Sequence, residues 1–161
     1  MALGDNTLRS AAGNSQRGRN PYMVQTTLNW ATALSDKGGA LAAADVVPVI
    51  AVPKGTMILN AGIEVDTATD GSTFTVDLGT GVDPDVFVDG FDATSAAAVV
   101  AQNPAVYQPV MAVADDNIDV TIATLSGGAV TSGKFRVWAV LMDCTDVGDL
   151  SAQEVDRDTL A

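Results

Sequence analysis

The chain has 161 residues, 47% of them hydrophobic, and a net charge of −12 from 20 acidic against 8 basic side chains, with no histidine and one cysteine. That length suits a single sizeable core with tails. Without histidine, serine-histidine and cysteine-histidine nucleophile systems are excluded, and with Cys144 alone so are an intramolecular disulfide and two-cysteine zinc or redox motifs.

Residues 1–23 carry Arg9, Arg17 and Arg19 against Asp5, a net of +2. They are poor in large apolar groups and rich in Gly, Asn, Ser and Arg, which reads as an extended arm without a core of its own, ordered by contact with another protein chain. The start lacks the basic-then-apolar order of a Sec export signal. No apolar run approaches the roughly 18 residues needed to cross a bilayer, so no membrane partner is expected.

From Val24 the pattern changes. In "VQTTLNWATAL" the series Val24, Thr26, Leu28, Trp30 alternates as in a half-buried strand, and "SDKGGAL" follows as a turn. "DVVPVIAVP" is β-branched with Pro48 and Pro53, which predicts an edge strand or a bulge. "GTMILNAGIEVDT" predicts a long strand bent at Gly62, and "TFTVDLG" predicts one that turns Phe74, Val76 and Leu78 inward. "DATSAAAVVA", Asp92 to Ala101, has helical composition, with an extended rim segment as the alternative. "AVYQPVMAV", "IDVTIATL" and "VTSGKFRVWAVLMD" give three more strands, the last apolar in both alternating series and so expected to be central and covered on both faces.

About eight strands with short turns indicate an all-β fold, an antiparallel β-sandwich with jelly roll the favoured subtype. The expected divisions are an arm over 1–23, a sandwich over 24–145 and an acidic tail over 146–161. Residues 24–143 hold four basic against fourteen acidic side chains and 144–161 one against five, so the body repels phosphate and no nucleic-acid partner is expected. Eighteen of the acids are aspartate, a residue of turns and strand ends.

The densest acidic stretch is "LGTGVDPDVFVDGFD", with Asp83, Asp85, Asp89 and Asp92. A helix-loop-helix calcium site needs ligands at alternate positions, a central glycine and a closing glutamate, which this spacing lacks. An exposed turn cluster is the plain reading, and an irregular calcium site stays open. A glycosidase pair would have to be chosen among aspartates, since Glu64 and Glu154 are the only glutamates and nothing selects a pair. The glycines of "LGTGVD" lack the following helix of a phosphate cradle. No catalytic, cofactor or metal residues are therefore assigned. Trp30, Trp138, Tyr22 and Tyr107 are the inventory for a sugar platform, and both tryptophans are expected in the core.

The run "VPKGTMILNAGIEVDTATDGSTFTVDLGTGVDPDVFVDGFDAT" followed by "ADDNIDVTIATLSGGAVTSGKFRVWAVLMDCTD" resembles small virion proteins of tailed bacteriophages, notably cyanophages, regarded as head decoration or cement proteins. The resemblance rests on Pro53–Gly55, Asp77–Asp92, Asp115–Asp119 and Lys134–Asp143, within roughly half to two-thirds of the chain. It implies a non-enzymatic protein on the outer face of the capsid, bound to the major capsid protein and to its own copies, a homotrimer by preference and a dimer otherwise. Arg9, Arg17, Arg19 and Tyr22 of the arm are then the expected capsid contact. Two alternatives stand beside it, a carbohydrate-recognising knob or short-fibre sandwich, and another β-rich assembly subunit of a tail tube or surface layer.

Overall fold

A computed structural model describes residues 20–96, 99–101 and 109–144. The elements are β1 (Tyr22–Asn29), α1 (Trp30–Lys37), β2 (Val46–Val52), β3 (Thr56–Thr67), β4 (Thr73–Thr80), β5 (Val88–Asp92), β6 (Val99–Ala101), β7 (Val110–Met111), β8 (Asp116–Ser126) and β9 (Lys134–Asp143). β1 starts at Tyr22, two residues inside the stretch expected to be an arm. Residues 1–19, with Arg9, Arg17 and Arg19, lie outside the described residues, as do 145–161.

All strand pairings are antiparallel and form two sheets. One has the order β1-β9-β3-β6, with β7 also on β3; the other has the order β2-β8-β4-β5. The inner faces meet in one core: Ile58, Ala61, Ile63 and Val65 of β3 and Phe135, Val137, Ala139 and Leu141 of β9 oppose Phe74, Val76 and Leu78 of β4 and Ile118, Val120 and Ile122 of β8. Fully burying a side chain of this size is worth about 1.5–3 kcal/mol, so this layer drives the fold. The expected inward series Phe74, Val76, Leu78 is what the sheet buries.

Four expectations change. The series from Val24 holds only to Asn29, because α1 begins at Trp30: the Asn29 side chain accepts from Ala31 N at 3.0 Å, and Gly38 closes the helix with φ of 67°, where an L side chain is disfavoured. Trp30 is still core, fully buried, but it reaches the core from a helix. The alanine-rich stretch is not a helix, since Asp92 ends β5 and Val99–Ala101 pair with Gly62–Glu64; residues 97 and 98 lie outside the described ones. Ladder bonding to β3 outweighs the helical propensity of alanine there.

β3 bends at register shifts between Ile58 and Asn60 and between Val65 and Thr67, and not at Gly62. The first shift has a purpose in packing: Ile58 and Ala61 are an odd number apart, and the extra residue lets both face the core. β2 carries the expected edge irregularity, between Pro48 and Ile50. Finally, β9 is central, between β1 and β3, but only its inner face is sealed: Trp138, Val140 and Met142 are half-buried on the outer face and Arg136 is exposed. The apolar outer series therefore marks a surface and not a second core.

Candidate functional site

Strand directions fix two ends of the sandwich. β1 starts at one end, level with the finish of β9 and the start of β3, because Tyr22 pairs with Leu141 and Leu141 with Ile58. β2 finishes and β8 starts at that same end, through Val52 and Asp116. The loops gathered there are 53–55, 81–87 and 112–115.

Between them is a cleft of about 580 Å³. Its floor is apolar, from Val52, Ile58, Val86, Val110 and Ala112, and Asp83, Asp115 and Asp116 stand on its rim. The carboxylates also fix the walls: Asp115 Oδ1 accepts from Lys54 N at 2.9 Å, and Asp116 Oδ1 accepts from Gly81 N at 3.3 Å and Asn117 N at 2.8 Å. Three loops are thus tied by two neighbouring aspartates at the start of β8.

The surface around the cleft is apolar. Val82 is 86% exposed, Val113 78% and Met111 41%; at the same end of the sandwich, on β1, Tyr22 is 45% exposed and Met23 63%, Met23 on the outer face beside Val140, and of the large exposed hydrophobics among the described residues only Val46 lies elsewhere. Scattered apolar residues on a surface need no explanation, but five at one end, beside an apolar cleft, mark a place for a partner. Of the expected contact residues only Tyr22 is described, and it is here. Sequence reading missed Val82 and Val113. Their signal was a single large apolar residue in a turn, in Gly81-Val82-Asp83 and Ala112-Val113-Ala114, with no alternating partner to carry it inward.

The acidic stretch from Leu78 to Asp92 does not converge on one point. Asp92 accepts from both Thr94 N and the Thr94 hydroxyl, which lowers its pKa. Asp83 hydrogen-bonds Asp85, which with the negative charge beside it raises the Asp83 pKa. Asp89 and Asp85 face Asp77, whose pKa is raised first by burial and then by their charges, while its Oδ1 accepts from Gly90 N at 2.7 Å. Asp119 is raised likewise, by burial and then by Asp116. The loop folds back on β4 so closely that a Cβ on Gly79 would lie 2.2 Å from the Asp83 carbonyl oxygen. Among the described residues no group of three or more acidic or thiol side chains is spaced to hold a metal ion. Cys144 is half-buried with its N–H on the Gly55 carbonyl, as a packing residue. The arrangement suits capture of an extended chain with apolar and cationic side chains.

No protein-family model matches the chain, and no curated protein matches it. Solved structures do. A chain of the capsid asymmetric unit of cyanophage Pam1 superposes with a TM-score of 0.62 at 16% identity, covering 88% of this chain and 97% of that one. A chain of the capsid of Ralstonia phage GP4 gives 0.54 at 17% identity, covering 81% and 87%. The fold is shared with chains of phage capsids. Among the described residues no helix is long and apolar enough to cross a membrane.

Proposed function

We propose that the protein is a structural component of a phage virion that binds the outer surface of the capsid shell and cements its major capsid protein, without enzymatic activity. The observation that carries this reading is the match of 88% of this chain with 97% of the Pam1 capsid chain. We read the strand order as a jelly roll, with β6 and β7 along the same edge of β3 and, apart from β4 to β5 within one sheet, the connections crossing between the sheets. The shell contact is the open end with the arm, through Arg9, Arg17, Arg19 and Tyr22. A rigid body with an arm that orders on binding wraps a neighbour's surface, and many equivalent shell sites multiply the effect. A closed homotrimer is the expected assembly, since copies on a symmetric shell gather on its axes.

The test is deletion of residues 1–19 followed by co-sedimentation with expanded capsids. The truncated protein is expected to keep its β-rich circular dichroism and lose capsid binding; binding equal to that of the full chain would remove the arm from the assignment. A second reading, a β-rich assembly subunit, draws on β1: eight residues without charge or proline, whose outer edge no strand covers among the described residues. Filament or sheet formation by the pure protein, suppressed by Gln25→Pro, would favour it.

A further inference from the structure

Both chain ends leave the body where the cleft opens. β1 begins there at Tyr22, preceded by 21 residues, and β9 finishes there at Asp143. The two ends differ in sign. The preceding residues hold Arg9, Arg17 and Arg19 against Asp5, whereas 144–161 hold five acids against Arg157. A rim of Asp83, Asp115 and Asp116 repels the second and attracts the first.

The distances agree. Tyr22 and Ile58 are separated by two strand spacings, about 10 Å, and Ile58 lines the cleft. An extended chain covers about 3.3 Å per residue, so Arg19 reaches about 10 Å from Tyr22 and Arg17 about 17 Å. Both guanidinium groups therefore come within range of the rim with no need for a second molecule. Their aliphatic stems, and the Ala11, Ala12 and Leu8 side chains further along, supply apolar surface for a floor of Val52, Ile58, Val110 and Ala112.

We propose that this cleft is the seat of the protein's own N-terminal arm, residues 1–19, with Arg17 and Arg19 on the aspartate rim and the arm covering Val82 and Val113. Attachment at Tyr22 makes the arm's effective concentration at the cleft far higher than that of any free segment. The free protein thus keeps its apolar end covered, and a capsid shell competes with the cleft for the arm. The proposal goes beyond the virion reading and concerns the free protein, so each can fail without the other.

Trypsin cleavage of the full-length protein after Arg9, Arg17 and Arg19 reads the docked fraction, because cleavage follows the population of the open form. Three proteins are compared at several concentrations: wild type, Val82→Asp with Val113→Asp, and Arg17→Glu with Arg19→Glu, the last read at Arg9. The two exposed valines support no core packing, so that variant keeps its β-rich circular dichroism and loses only the stability that docking adds. Arm cleavage is expected to be about tenfold faster in both variants, corresponding to about 1.4 kcal/mol of docking, and in wild type to be independent of protein concentration. Equal cleavage rates in wild type and variants overturn the proposal. Protection that grows with protein concentration also overturns it, in favour of the arm of a second copy.

Discussion

At one end of the sandwich Trp30 lies wholly buried against Phe74 and Phe135, with ring centroids 5.0 and 5.4 Å away, while at the other Val82 and Val113 stand almost free. The first end is closed by polar ties. Trp30 N donates to the Gly133 carbonyl, Asp70 accepts from Thr131 N, Ser132 N and the Thr131 hydroxyl, and the Ser72 hydroxyl donates to the Gly127 carbonyl. Lys37 pairs with Asp45, which also accepts from Ala42 N, so the chain leaving α1 is held before β2 starts. At the open end comparable carboxylates tie loops but leave an apolar cleft between them. The lesson is that stability and recognition are separated along the strand axis, and substitutions at the two ends should fail in different assays.

The largest effect is expected from Trp30→Ala, which removes the centre of the aromatic trio and should cost about 3–5 kcal/mol in urea unfolding, a large part of a typical domain's total. The Trp30 indole N–H is buried without an acceptor among the described residues, so Trp30→Phe should cost much less than the alanine change. Gly79→Ala is next, about 1–3 kcal/mol, because its Cβ would strike the backbone of Asp83 and Pro84. As Gly79 anchors the loop that carries Val82, this change should lower stability and capsid binding together. A variant that kept full binding would show that the loop's position is irrelevant to recognition.

Acid separates the groups in a third way. Asp77 and Asp119 have raised pKa values, chiefly from burial, so protonation favours the fold: stability should rise as pH falls through their folded values and level off below the ordinary value of 3.8, where the unfolded carboxylates are protonated too. Asp70, at the sealed end, is lowered to about 2, first by the Thr131 hydroxyl. Its contribution is complete above the ordinary value of 3.8 and is lost as pH falls through about 2. Thermal melts across this range should therefore pass through a maximum in mild acid. Asp119→Asn should flatten the rise, and Asp70→Asn should remove part of the acid loss. The smallest effect is expected from Lys37→Ala, a melting temperature close to the wild-type value, since the pair with Asp45 is partly exposed and screened by solvent.

Most strands were legible because alternation is local: Phe74, Val76 and Leu78 announce their face without reference to any other strand. What was not legible depends on relations. Trp30 continues the alternating series of β1, and only the Asn29 cap, the Gly38 exit and the aromatic pocket between the sheets make it the first residue of a helix. The alanines after Asp92 have helical composition, yet an edge of β3 stands waiting to pair. The shift beside Leu59 exists only relative to β9, and Trp138 faces outward because β9 carries apolar residues on both faces while only one sheet face has an opposing layer. The open end was hidden for the same reason, since its valines look ordinary until three loops from distant parts of the chain come together.

Cryo-electron microscopy of full particles that carry the protein tests the shell-binding role most directly. Copies in numbers comparable to the major capsid protein, with Tyr22, Val82 and Val113 turned to the shell and α1 to solvent, are the expected result. Particles without the protein, or with α1 against the shell and the cleft in open solvent, would contradict it.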